Sequence, residues 1–183
     1  MSILADTSAA VIPAGTWSID PGHSAVEFHI RYLGLAKVTG RAPVVSGTIE
    51  GGDKPSIQGT VAVSSITTFD ETRDGHLQSP DFFDVERYPE LSFASTEIEF
   101  RGIDLDVAGE LTIKGVTKPV TLRGTFAGSG VDPWGNDRIG IDLETTVDRT
   151  DWGLDWNAPL PGGGFLLPDD VKLTATFSAV KAG

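Results

Sequence analysis

Cysteine is absent from this 183-residue chain, which removes disulfide frameworks, thiol nucleophiles, thiolate zinc sites and iron–sulfur ligation from consideration. Positive charge is scarce: 14 Lys and Arg stand against 26 Asp and Glu, a formal net charge of −12. A field of that sign repels phosphate backbones, so no nucleic-acid partner is expected. Long apolar runs are missing as well, and no segment approaches the ~20 apolar residues of a membrane helix, so no integral membrane segment is expected. No Lys or Arg precedes Arg31, and the apolar stretch from Ala9 to Ile12 stops at Pro13. That is not the pattern of a secretory leader, and the expected compartment is the cytoplasm. Three scattered histidines without a ligand spacing such as HExxH predict no metal site.

What is present is alternation. A polar, flexible leader is expected over residues 1–14 and one domain over 15–183, with 39% hydrophobic residues sufficient for its core. In Ser24 to Leu33, Val26, Phe28, Ile30 and Tyr32 alternate with Glu27, His29 and Arg31, the period of a strand with one apolar and one wet face. Comparable runs cover Ile57 to Ile66, Glu90 to Phe100, Leu105 to Ile113, Val120 to Phe126, Ile139 to Val147 and Val171 to Ala179. Val38 to Glu50 is weaker, because Pro43 removes a ladder donor and predicts an edge or a bulge. About eight main strands follow, with one short strand at Thr16 to Asp20.

Gly/Pro/Asp turns at this spacing, without a helical period, indicate an all-β antiparallel sheet. Eight such strands can close into a barrel whose interior holds one small ligand. The inward candidates are Phe28, Ile30, Phe93, Phe126, Ile141, Leu143 and Phe177. Gly109 and Gly124, with Gly59 or Gly47, interrupt those faces and mark bulges, curvature or open internal space.

The alternation breaks between residues 70 and 85. Asp70 is placed to cap a short helix through Leu77, and Ser79-Pro80 to start a second. Leu77, Phe82 and Phe83 then face one side as an aromatic lid, held by an Arg73–Asp74 pair. Asp74, His76 and Ser79 include the residue types of a hydrolase triad but lack a nucleophile turn such as GxSxG, so no catalytic residues are assigned. His23 is expected to fix its Pro-Gly turn, and His29 to face solvent. Arg149 and Trp152 end the penultimate strand and lead through Trp156 to a flexible Pro161-Gly162-Gly163-Gly164-Phe165 loop. The two tryptophans either admit a ligand at a barrel mouth or plug that end.

The run RDGHLQSPDFFDVERYPELSF, Arg73 to Phe93, is similar to the central signature of the YceI family of polyisoprenoid-binding, lipocalin-like proteins. WSIDPGHS at Trp17 to Ser24, Val38-Thr39-Gly40, GELTIKGVTKPV at Gly109 to Val120 and RTDWG at Arg149 to Gly153 agree in order. The resemblance spans about Gly15 to Val180. It implies an eight-stranded lipocalin-like barrel with a short helical lid, enclosing an apolar tunnel for a long isoprenoid such as a quinone or polyprenyl compound. The protein would then be a carrier, not an enzyme. No cofactor would be required, contact with a membrane would be transient, and a homodimer would be one arrangement seen among relatives. Arg73, Asp74, His76 and Arg149 become candidates for the lid and the ligand head group. Many relatives are periplasmic, which this sequence gives no sign of. The competing readings are a lipid hydrolase or isomerase using His76 with Asp74, and a solidly packed interaction protein.

Overall fold

The computed structural model of the chain describes residues 11–43 and 45–183. Ten strand segments form one antiparallel sheet: β1 (Gly15–Ile19), β2 (Ala25–Tyr32), β3 (Ala36–Ala42), β4 (Val45–Gly51), β5 (Ser56–Ala62), β6 (Glu90–Arg101), β7 (Asp104–Ile113), β8 (Val116–Val131), β9 (Asp137–Asp148) and β10 (Asp170–Lys181). They occupy eight positions around a closed barrel. β1 and β2 lie end to end along β10, pairing with Ala179–Lys181 and Lys172–Thr176 respectively. Their other antiparallel partners, β4 for β1 and β3 for β2, lie end to end in the same way. Pairing runs from β1 through β4 to β10 and returns to β1, so at that level no edge is left exposed.

Both breaks have local causes. Between β1 and β2, Pro21–His23 form a 3-10 turn in which Asp20 accepts from the Gly22 amide at 3.0 Å and meets His23 Nδ1 at 2.8 Å. Pro43, with no N–H to offer a ladder, separates β3 from β4 where one weak strand was expected. His29 is half-buried instead of solvated. Its ring lies 3.0 Å from the Thr39 hydroxyl and 3.2 Å from that of Thr174, and burial lowers its pKa.

Past the break, the ring is completed by something other than strand. The outer edge of β3 carries a single bridge among the described residues, Arg41 to Thr67, with both hydrogen bonds at 2.9 Å. Thr67 belongs to the excursion between β5 and β6, whose base closes with the Val63 amide donating to the Pro89 carbonyl at 2.9 Å. The excursion holds one helix, α1 (Glu71–Gln78), capped by Asp70 Oδ1 accepting from the Arg73 amide at 2.9 Å. The second helix expected at Ser79-Pro80 is a series of turns. The Phe83 and Val85 amides reach back to the Leu77 and Gln78 carbonyls and cap α1, which leaves no free run to propagate.

The lid is also held differently from expectation. Asp74 accepts from the Thr67 hydroxyl at 3.0 Å and from the Thr68 amide and hydroxyl at 2.8 and 2.5 Å. Arg73 donates to the Thr68 hydroxyl at 2.7 Å and carbonyl at 2.8 Å. The two charges therefore meet through Thr68, not as a direct pair, and these hydrogen bonds outweigh burial to hold the Asp74 carboxyl below its ordinary pKa. The loop expected to be flexible is a stitched turn, with Leu160 and Gly164 bonded at 2.9 Å and Pro159 bridged to Phe165.

One end of the barrel is filled. Trp17, Ile49, Leu105, Val107, Phe126, Ile139 and Ile141 pack there as one cluster. Residues 1–10 of the expected leader lie outside the described residues. Ile12, within its last part, is fully buried, its carbonyl accepts from Gly52 at 3.0 Å, and the Pro13 carbonyl accepts from the Trp17 indole at 2.9 Å. The packed domain thus begins before Gly15, with Ile12 as a plug.

Candidate functional site

At the other end the inward faces of β2, β3 and β5 to β10 surround a cavity of about 570 Å³, roofed by α1, the turns after it and the 149–167 segment. That volume lies within the ~300–1,000 Å³ typical of small-molecule sites. Phe28, Ile30, Phe93, Leu143 and Phe177 line its strands, Leu77, Phe82 and Phe83 its lid, and Trp152 and Trp156 its loop. Val26, Leu91, Leu111, Leu122, Val147 and Leu173 join them from the same alternating registers. Leu166 and Leu167 also contribute, and no periodicity in their loop signals it.

Two inward candidates are elsewhere. Phe126 and Ile141 pair across β8 and β9 but belong to the packed end and do not line the cavity. Period 2 distinguishes inside from outside; it carries no information on depth along the barrel axis.

The interrupting glycines seat aromatic rings or strands. A Cβ on Gly109 would sit 2.5 Å from the Phe93 ring, and one on Gly40 2.0 Å from the Phe28 ring. Each ring packs against a glycine of the neighbouring strand and lines the cavity, the usual partnership of an aromatic with a cross-strand glycine. Gly124 instead faces the Asp142 backbone. The actual bulges lie between Ser95 and Glu97 and between Phe126 and Gly128.

Polar groups gather where α1 meets the cavity. Thr68, Asp70, Thr72, Arg73 and His76 border it there, while Asp74 does not. His76 Nε2 is 2.9 Å from Asp81 Oδ2, so its acidic partner is Asp81 and not Asp74. The His76 ring meets Phe82 and Trp156 edge-on at 5.0 and 4.6 Å, with Phe82 and Trp156 5.5 Å apart. This three-ring contact latches the lid to the loop. On the far side the Trp152 indole donates to the Leu111 carbonyl at 3.0 Å, which fixes its ring against the cavity wall.

Arg149 borders the cavity, but its Nε and Nη1 are committed to the loop. Only 5% exposed, it donates through Nε to the Pro168 carbonyl at 2.9 Å and through Nη1 to the carbonyls of Leu154, at 2.5 Å, and Trp156, at 2.9 Å. Asp169 adds a long ionic contact at 3.9 Å. Arg149 therefore clamps the loop that carries both tryptophans. Asp148 caps the turn, accepting from the Thr150 amide at 2.9 Å, and Gly153 leaves it at a φ of +75° that favours glycine.

Comparison with known proteins agrees with this architecture. The YceI-like domain family matches residues 17–179. Protein YceI of Escherichia coli is 36% identical over 153 residues, covering 80% of each chain. A UPF0312 protein of Pectobacterium atrosepticum is 35% identical over 158 residues, covering 84% of this chain and 82% of its own. Among solved structures, BcnA of Burkholderia cenocepacia superposes with a TM-score of 0.75 at 22% identity, over 87% of this chain and 98% of its own. A polyisoprenoid binding domain from Saccharophagus degradans superposes with a TM-score of 0.69 at 15% identity, over 91% of this chain and 98% of its own.

Proposed function

We propose that this chain, which belongs to the YceI-like domain family, binds a long isoprenoid lipid in its cavity and carries or sequesters it without chemical change. The observation that carries the reading is the hollow end itself: about 570 Å³ enclosed by aliphatic and aromatic side chains. A void of that size forfeits dispersion contacts in the empty protein, a cost that an apolar occupant relieves. The polyisoprenoid binding domain with the same fold supports the choice of ligand class. No cofactor is required.

The energetics favour exchange over permanent capture. Burying one isoprene unit from water is worth roughly 4 kcal/mol at about 0.8 kcal/mol per CH₂. Eight such units would pass the ~18–21 kcal/mol ceiling on non-covalent affinity. From a bilayer the tail leaves one hydrocarbon medium for another, so the net gain is small and transfer is reversible. The tail then runs among Phe28, Phe93, Leu122 and Phe177, and a quinone or polyprenyl head lies toward Arg73 and His76. Arg73 holds Thr68 through Nε and Nη2, which leaves Nη1 for a head-group oxygen.

Organic extraction of the purified protein followed by mass spectrometry tests the proposal. A stoichiometric isoprenoid is expected, lost in Phe177→Glu and retained in His76→Ala. Stoichiometric isoprenoid in Phe177→Glu would remove the cavity as its location. A chemically altered lipid produced by the native protein but not by His76→Ala would establish catalysis instead.

A further inference from the structure

We propose that the tip of the β2–β3 hairpin, together with the turn carrying Phe165, docks the barrel on a bilayer bearing anionic head groups. The inference takes its purpose from the lipid-binding reading, while its test is independent of that reading. The tip is the three-residue connection Leu33–Leu35, whose tight turn is closed by the Leu35 amide donating to the Tyr32 carbonyl at 2.9 Å, with φ of +57° at Leu33 and +67° at Gly34. Asn-Gly is the ordinary choice for such a turn. Leu33 there is strained, since a branched apolar side chain gains nothing from the left-handed region. Leu35 beside it is 77% exposed and Phe165 65% exposed. The Leu33 amide donates to the Leu166 carbonyl at 3.0 Å, which holds hairpin and loop together as one projecting edge.

The charges behind the tip are also unfavourable for folding alone. Arg31 and Lys37 lie directly opposite one another across β2 and β3, a like-charge cross-strand pair that destabilises a hairpin. Lys172 borders the same groove but is paired with Glu144 at 3.2 Å, so the unpaired cations behind the tip, among the described residues, are Arg31 and Lys37. On a chain of net charge −12 Arg31 and Lys37 make a local basic collar behind an apolar tip. Both features become favourable against a bilayer: the apolar tip enters the acyl boundary and the collar meets anionic head groups. Tyr32, amphipathic and partly exposed, stands at the level between them. The groove behind the tip shares Ile30, Leu166 and Leu167 with the lining of the cavity, so a docked barrel presents its hollow end to the membrane.

Co-flotation of the full chain with phosphatidylcholine vesicles, with and without phosphatidylglycerol, tests the assignment. The native protein is expected to float with the anionic vesicles and to be released by high salt. Leu35→Ser and Phe165→Ser should each weaken flotation about tenfold, the scale of one apolar side chain withdrawn from the interface. Lys37→Glu and Leu33→Asn should weaken it while raising the melting temperature, because each relieves a cost to folding. Loss of binding in those two variants cannot then be ascribed to unfolding. Trp134→Ser, which removes an 81% exposed side chain at the opposite end, should float normally. The proposal is overturned if the native protein ignores both vesicle types or if Trp134→Ser abolishes flotation equally. Self-association in sedimentation equilibrium that Leu35→Ser disrupts would assign the face to a second copy instead. Cargo retained by Leu35→Ser separates docking from binding, and flotation without any cargo would leave docking standing while the lipid-binding reading fails.

Discussion

The two ends of this barrel are made from the same alternating strands, yet one is solid and the other hollow. At the solid end Trp17, Ile49, Leu105 and Ile141 meet across the axis, and Ile12 enters from outside the strands to fill what remains. At the hollow end residues of similar size, such as Leu122, Leu143 and Leu173, line a cavity wall. The difference lies in the circumference. The solid end is closed by strand pairing alone, whereas the hollow end has α1 and its turns inserted beside the free edge of β3. An apolar inward face is therefore necessary for a core but not sufficient. The solid end supplies the stability that lets the other remain open.

Paired truncations should separate the ends most clearly. Ile49→Ala removes contacts on every side and is expected to cost about 2–5 kcal/mol in urea denaturation. Leu122→Ala, already facing a void, should cost about 1 kcal/mol in the empty protein. Equal losses would contradict the contrast. Next in size is Arg149→Met, which leaves the Leu154, Trp156 and Pro168 carbonyls without their charged donor. A loss of about 2–3 kcal/mol is expected. Hydrogen exchange should quicken in the 149–169 segment and not around Trp17.

Acid should loosen the ends in turn. His29, at the hollow end, has its pKa lowered by burial first and by Lys37 second. The unfolded chain therefore takes up a proton below about pH 6.5 that the folded chain resists, and stability declines as pH falls from there. At the solid end Arg138, then His23, lower the Asp20 pKa to about 2. Arg138 also holds Asp132 at 2.7 Å, well below the usual carboxylate range. The stability from these carboxylates is present above about pH 4 and is lost as pH falls through 2. Exchange of β2 amides should thus rise before that of the β8–β9 turn. His29→Gln should remove the first step and leave the second.

Much of this was legible because strand periodicity and turn chemistry are local. Pro21-Gly22 announced the break between β1 and β2, Pro43 announced an edge or bulge but not the split into β3 and β4, and the Asp70 cap announced α1. Depth is not local: nothing in the spacing of Phe126 or Ile141 distinguishes them from Leu143, and only the pairing register assigns them to the solid end. The turns after Ser79 were illegible for the same reason, since their amides are taken by carbonyls of the helix before them. Arg149 had the chemistry of a head-group ligand. Its commitment to three carbonyls depends on how the chain folds back to bring Pro168, 19 positions later, against Arg149.

The smallest expected effect is the sharpest test of hollowness, because it makes one substitution at both ends. In Gly51→Ala the new methyl meets the Pro13 carbonyl and the Ile12 side chain, neither of which can retreat from a filled core. A loss of about 1–3 kcal/mol is expected, as for other overpacked sites. In Gly40→Ala it meets the Phe28 ring, which has the cavity before it. The ring can swing off β3 into the void, so the loss should stay below about 1 kcal/mol. The displaced ring then occupies space the ligand needs. Gly40→Ala should accordingly fold nearly as well as the native chain yet retain less isoprenoid after extraction, and Phe28→Ala in the same chain should restore it. A Gly40→Ala protein as destabilised as Gly51→Ala would show that the Phe28 ring has nowhere to go.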